Sequence, residues 1–319
     1  TYRAAADAAR RLRAHGIQPD LLCTVNARTA EEPLEAYRAL REFNTGWIQF
    51  IPIVQRVPNP QDLPEGADAS FTFAPDNGRL AQDGGASFNT ASDGDKTPPE
   101  RAAALSSDSV TPEAYGDFLC AVFDEWAFND LGRLDVQMFA ETARVWAGGE
   151  AGLCWMAPAC GRALVVEADG GVYSCDHYVN AGRRLGSIYS SGLGELANSH
   201  KQREFGENKR AGLPGQCLSC EWLNACNGGC PKDRFALADN GESGLNCLCG
   251  GLRRFFAHAY PVMSEIISFT RRGESPKAIM SALRAREAAK WKGVGRNDPC
   301  PCGSGKKAKF CCWERRPGK

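Results

Sequence analysis

Residues 154–249 constrain this chain more than any other stretch. They hold Cys154, Cys160, Cys175, Cys217, Cys220, Cys226, Cys230, Cys247 and Cys249, nine of the fifteen cysteines in 319 residues. Four form the run Cys217-x2-Cys220-x5-Cys226-x3-Cys230. Thiolates grouped this densely hold a soft metal or an iron–sulfur cluster. Ala163 to Glu167 reads as an apolar strand, Asp169-Gly170-Gly171 as a turn and Val172-Tyr173-Ser174 as the return strand. One hairpin therefore sets Cys160 beside Cys175. An odd cysteine count, adjacent Cys311-Cys312 and no signal-like apolar segment argue against a disulfide framework. Spacing alone leaves zinc and iron–sulfur both open, since eight thiolates serve two four-thiolate sites of either kind.

The rest of the chain bounds the class. Lys+Arg and Asp+Glu both total 38, so the balance gives no support for nucleic acid or an anionic membrane as partner. No run of eighteen apolar residues occurs. Tyr2–His15 reads as an amphipathic helix stopped by Gly16, Asp20–Val25 as a strand, Glu31–Phe43 as a helix and Trp47–Val54 as a strand buried on both faces. Helix and strand alternating at this spacing predict an α/β fold of parallel β/α units. Residues 56–110, rich in Pro, Gly, Asp and Ser, read as a long loop or disordered insert. Thr111-Pro112 is an N-cap followed by proline at the first helical position, opening a helix through Trp126. Val136–Phe139 reads as a short strand and Glu141–Trp146 as a short helix. Cys120 reads as a small core residue. Leu252–Ile266 is helical, with Pro261 expected to kink or divide it, and 269–294 is a basic helical linker.

A second motif closes the chain. Cys300-x-Cys302-x8-Cys311-Cys312 puts four soft ligands in thirteen residues, too small a unit to fold without a metal. It resembles the SEC-C zinc motif. That resemblance makes Cys300, Cys302, Cys311 and Cys312 zinc ligands at the C-terminal tail. With Lys306, Lys307 and Lys309 beside them, the 295–315 unit reads as a docking module for a protein partner, or as a purely structural knuckle.

The longer words point to a family. Cys160-x9-Gly170-x4-Cys175, the four-cysteine run and Cys249 resemble the SPASM pattern of radical SAM peptide-modifying enzymes. Gln49-Phe50-Ile51-Pro52-Ile53-Val54, Phe123-Asp124-Glu125-Trp126, Tyr173-Ser174-Cys175-Asp176-His177 and Cys226-Asn227-Gly228-Gly229-Cys230-Pro231-Lys232-Asp233-Arg234 resemble the anaerobic sulfatase-maturating enzymes. The resemblance implies that residues 1–55 are the last units of a partial (β/α)6 TIM-like barrel, that 111–150 connect them, and that 151–268 form the SPASM domain. It implies two auxiliary [4Fe-4S] clusters, one on Cys154, Cys160, Cys175 and Cys230, the other on Cys217, Cys220, Cys226 and Cys249. Cys247 stands where the family has Tyr, so Cys247 and Cys249 compete for the last ligand position.

By the same resemblance Asp176 is the catalytic base, with a carboxyl expected to be raised beside an anionic cluster; read without it, Asp176 caps a turn. Gly148-Gly149-Glu150 matches a SAM-contacting triplet in the wrong place and reads as a decoy. The implied reaction is oxidation of a Cys or Ser of a sulfatase polypeptide to formylglycine in the cytoplasm. A flavodoxin or ferredoxin would donate electrons, and neither nucleic acid nor membrane would be a partner. SAM and a third [4Fe-4S] cluster need CxxxCxxC, which these residues lack. With Thr1 falling directly into a helical pattern, the expectation is an N-terminally truncated piece in which SAM and that cluster belong only to the full-length protein. Two other readings stand: a SPASM enzyme acting on another peptide, and a non-catalytic metal-binding adaptor.

Overall fold

The computed structural model describes residues 2–43, 45–57, 104–302 and 304–313. The insert expected at 56–110 lies, for residues 58–103, outside the described residues. The first elements are α1 (Tyr2–Ala14), β1 (Leu21–Val25), α2 (Ala27–Glu31), α3 (Pro33–Arg41), β2 (Trp47–Pro52), β3 (Arg56–Val57), β4 (Ala104–Leu105), α4 (Pro112–Asn129), β5 (Asp135–Val136) and α5 (Gln137–Trp146). β1, β2 and β5 form a parallel sheet in the order β1-β2-β5, with Leu21 opposite Ile48 and Ile48 opposite Val136. β3 and β4 pair antiparallel.

Four expectations are corrected here. The helix expected over Glu31–Phe43 is two helices, because Pro33 restricts the backbone of Glu32, which sits at φ −126° and ψ 64°, outside the helical region. β5 ends at Val136 and helix begins at Gln137, so the expected strand over Val136–Phe139 is one residue of strand and three of helix. β2 is not buried on both faces. Ile48 and Phe50 point into the core while Trp47 and Gln49 are half-buried, the period-2 pattern of a strand with one well-covered face. The helix expected to kink or divide at Pro261 is not divided and runs from Cys249 to Arg271. Pro261 and Ala257, whose carbonyl loses its helical donor, both lie on the exposed side, where water can bond that carbonyl.

The main core lies between α4, the sheet, α5 and α10 (Cys249–Arg271). Thr111 caps α4 by accepting from the Ala114 N–H at 3.2 Å. Phe123 on α4 meets Phe139 at 5.3 Å and Phe255 at 6.0 Å, and Phe139 stacks on Phe255 at 5.5 Å. These rings are fully buried and supply much of the apolar area that fixes the crossing. The two helices touch backbone to backbone where Gly116 faces Gly251; a Cβ at either would strike main-chain atoms of the other helix. Cys120 is buried in this core, where burial pushes its thiol up to about 12.

Between α5 and α10 the chain is mostly short elements. β6 (Val165–Val166), β7 (Gly171–Tyr173) and β8 (Arg184–Ser187) make an antiparallel sheet in that order, so the expected hairpin gains a third strand. There follow α6 (Leu193–Ala197), α7 (His200–Ala211), α8 (Gly215–Leu218), α9 (Leu223–Cys226), β9 (Ala236–Leu237) and β10 (Ser243–Leu245). After α10 comes α11 (Pro276–Lys290), then the tail. Among the described residues no helix is long and apolar enough to cross a membrane.

Candidate iron–sulfur and metal sites

The cysteines of 154–249 sit in the region of short elements, where polar clamps replace a large core. Gln202, on α7 and almost fully buried, donates to the Gly161 carbonyl at 3.0 Å and the Ser174 carbonyl at 3.2 Å. One side chain thus ties together the neighbours of Cys160 and Cys175. Lys209, on the same helix and 2% exposed, donates to the carbonyls of Cys154 at 2.8 Å, Trp155 at 2.8 Å and Ala157. Burial lowers its ammonium to about 8. Its position fixes the turn that carries Cys154.

The thiols separate into two sets by the charges they feel. Cys160 interacts with Cys154, Cys230 with Cys160, and Cys175 with Cys230. Cys226 and Cys249 both interact with Cys217 and Cys220. Cys217, Cys220, Cys226 and Cys249 also line one recess, with Trp222 and Phe256 beside them. Cys247 does not line it; its thiol faces Asp233 and Lys232. The structure thus brings Cys249, not Cys247, to the second set.

Cys160, Cys175, Cys217, Cys226, Cys230 and Cys249 are poor thiolates by themselves, each raised by burial. Burial pushes Cys175 and Cys226 up to about 12 and Cys230 and Cys249 up to about 11. Backbone N–H groups of His177, Gly228 and Lys232 reach Cys175, Cys226 and Cys230 and act against that rise. Buried sulfurs with ready N–H donors suit a site whose metal supplies the positive charge that ionises them.

The link between the sets is the turn Asn227-Gly228-Gly229, which joins Cys226 of one to Cys230 of the other. All three residues take positive φ, 46°, 70° and 65°. A side chain at Gly228 would meet Leu213 and Arg234, so the turn needs glycine there for space as well as backbone. Asn227 tolerates the left-handed conformation and donates to the Met156 carbonyl at 2.7 Å.

Asp176 directly follows Cys175 and is exposed, with His177 Nδ1 at 3.8 Å. The Cys175 thiol donates to its Oδ1 at 3.1 Å, which holds the carboxyl below its ordinary range. A neutral Cys175 thiol stabilises the carboxylate; an ionised Cys175 would remove that donor and put negative charge in its place, which is the condition under which the rise is expected. Gly148-Gly149-Glu150 forms the turn after α5.

The tail is built differently. The sulfurs of Cys300, Cys302, Cys311 and Cys312 all lie within 4.8 Å of one another, with Cys302–Cys311 at 3.4 Å and Cys311–Cys312 at 3.5 Å. Four thiolates around one zinc at the usual bond length stand about 3.8 Å apart, so this set fits a single ion. The Ser304 hydroxyl pulls the Cys302 thiol down to about 6. Backbone bonds from Cys300 to Lys306 at 2.8 Å and from Ala308 to Asp298 at 2.8 Å close the loop. Among the described residues no second group of Cys, His, Asp or Glu is drawn together so tightly.

Sequence reading did not single out Gln202, Lys209 or Arg234 as site residues. The signal was weak but present for Arg234, which ends the word Cys226-Asn227-Gly228-Gly229-Cys230-Pro231-Lys232-Asp233-Arg234. On α7 the helical spacing Gln202, Phe205, Gly206, Lys209 puts Lys209 on the buried face and its neighbour Arg210 off it.

Comparison with known proteins agrees with this anatomy. The SPASM family, an iron–sulfur cluster-binding domain, matches residues 154–221, and the SEC-C motif matches 296–314. A serine-type anaerobic sulfatase-maturating enzyme of Bacteroides thetaiotaomicron is 39% identical over 273 residues, covering 86% of this chain and 59% of the relative. The protein translocase subunit SecA of Symbiobacterium thermophilum is 69% identical over 32 residues, 10% of this chain and 4% of that protein. In fold, the solved structure of native anSMEcpe with bound AdoMet and Kp18Cys peptide aligns with TM-score 0.63 at 23% identity, covering 84% of this chain and 62% of that one. The chain spans 59% of the length of that Bacteroides thetaiotaomicron relative. It carries a SPASM domain and a SEC-C motif, and over most of its length it is a homologue of the anaerobic sulfatase-maturating enzymes.

Proposed function

We propose that these residues serve a radical SAM oxidoreductase that oxidises a Cys or Ser side chain of a sulfatase polypeptide to formylglycine. The observation that carries the reading is the division of eight thiols into two sets of four, with Asp176 beside one of them. In this reading the parallel strands belong to a partial (β/α)6 barrel. Cys154, Cys160, Cys175 and Cys230 hold one [4Fe-4S] cluster, and Cys217, Cys220, Cys226 and Cys249 hold the other. The donor set fits such clusters: all sulfur, mostly half-buried, with backbone N–H groups reaching Cys175, Cys226 and Cys230, and not collapsed to single-ion spacing. When bound, the clusters supply electron acceptance. The protein's own residues position the sulfurs, exclude water from them, and hold a base at the Asp176 carboxylate, which takes the proton lost by the substrate side chain. A flavodoxin or ferredoxin in the cytoplasm supplies the reducing electron that SAM cleavage requires.

At the tail, Cys300, Cys302, Cys311 and Cys312 hold zinc, and exposed Lys306, Lys307 and Phe310 face a protein partner.

The first test is iron, sulfide and zinc content of anaerobically purified protein. The expected result is about eight irons, about eight sulfides and about one zinc per chain, with a brown chromophore. About three zincs and no colour would end the electron-transfer reading in favour of a structural metal adaptor. The second test gives the whole protein, expressed from its own gene, SAM, a reductant and sulfatase peptides carrying Cys or Ser. Hydrazide-reactive aldehyde on either peptide supports the reaction; its absence on both, with clusters loaded, points to another peptide substrate.

A further inference from the structure

Arg234 is largely buried, yet among the described residues no carboxylate pairs with it. Its guanidinium spends its donors on main chain. Nε reaches the Gly228 carbonyl at 2.9 Å, Nη1 the Lys209 carbonyl at 2.5 Å, and Nη2 the Asn227 and Gly229 carbonyls at 2.8 and 3.3 Å. Three of those four carbonyls belong to the turn between Cys226 and Cys230. The charge is felt by Cys160 and Cys230 of the first set and by Cys217 and Cys226 of the second. Lys209 differs: the thiols it acts on, Cys160, Cys154 and Cys230, all belong to the first set.

A buried cation held only by carbonyls is costly unless an anion lies nearby. Around Arg234 the groups that become anionic on metal binding are the cysteines of both sets. We infer that Arg234 is a positioning residue shared by the two sites: it fastens the turn linking them and serves as the common counter-charge to both. Lys209 is the private counter-charge of the first. This rests on the two-cluster reading above. A nearby cation favours the reduced, more negative form of a cluster, so both potentials stand higher than they would without Arg234.

The test uses iron-loaded protein and follows each cluster's midpoint potential by spectroscopic redox titration. Arg234→Gln should make both clusters roughly tenfold harder to reduce, about 59 mV for one electron. Lys209→Gln should lower only the first. Loaded Arg234→Gln with either cluster unmoved overturns the inference, as does Lys209→Gln lowering both equally. Should Arg234→Gln not load, Arg234→Lys decides. It keeps the charge and gives up most of the fork to the turn, so both potentials should stay within about threefold of the native equilibrium; a tenfold fall in either overturns the shared charge. An iron-free native protein would overturn the cluster reading itself, and this inference with it. Iron-loaded variants with native potentials would overturn this inference alone.

Discussion

The eight thiols of the SPASM region and the four of the tail use the same side chain in opposite ways. The tail sulfurs are already within ion distance, and short backbone bonds in one loop hold them there. The SPASM thiols are gathered from residues nearly a hundred positions apart, and each set depends on other parts of the molecule. Gln202 and Lys209 fasten the first set to α7. The second ends in Cys249, the first residue of α10, which packs on α4 through Phe255. One site is nearly self-contained. The other two depend on the fold around them, so on the proposed loading damage to the core should reach the iron and spare the zinc.

The largest effect should come from the ligands. On the proposed loading, Cys220→Ala should lose about half the iron and keep the zinc, whereas Cys311→Ala should lose the zinc and keep the iron. Metal analysis of both proteins reads this directly, and zinc loss that drags iron with it would break the contrast. Next comes Gly251→Ala, which puts a methyl group into the main chain of α4 at Pro112. Overpacking at a fully buried crossing should cost about 1–3 kcal/mol. A lower melting temperature and less iron from the second set are expected, with the tail's zinc unchanged. Gly206→Ala is more local: its added carbon would lie 2.7 Å from the Cys160 carbonyl. Iron should fall at the first set alone, and the two clusters' separate spectra can tell this from a general loss.

The smallest effect is electrostatic. His258 on α10 lies 2.6 Å from Asp124 on α4, and that hydrogen bond raises the imidazole above its ordinary value of 6.5. A raised folded value means the pair's stabilisation is fully present below about pH 6.5 and is lost as pH rises through the folded value. Unfolding midpoints measured across that window should fall with pH in the native protein and stay flatter in Asp124→Asn, with zinc retention the same in both.

What could be read from sequence follows the same division. The tail was legible because its ligands are local: thirteen residues contain the whole site. The α4 start was legible because Thr111-Pro112 is a local signal, and the hairpin because Asp169-Gly170-Gly171 is one. The α/β class was legible from alternating helical and strand patterns. The break before Pro33 and the intact helix through Pro261 were misread. In both cases a proline's effect depended on whether the freed carbonyl could reach solvent or the preceding residue could stay helical. Arg234, Lys209 and Gln202 were passed over because their role comes from burial, which a charge pattern does not record, although helical spacing puts Gln202 and Lys209 on one face with Phe205. The direction of the Asp176 shift depends on the protonation of its neighbour Cys175, which the sequence does not record.

Cys249 opens the same helix that delivers Leu252, Phe255 and Phe256 to the interior. On the proposed loading, the positive end of that helix begins at a residue that becomes anionic when metal arrives, an arrangement that favours both the helix and the bound charge. Iron delivery and completion of the hydrophobic interior should then be one event. Iron-free protein should show the first turn of α10 frayed and open to proteases. Limited proteolysis of iron-free and iron-loaded protein, cut sites mapped, would show the first turn of α10 cleaved only in the former; equal resistance in both would separate the two events.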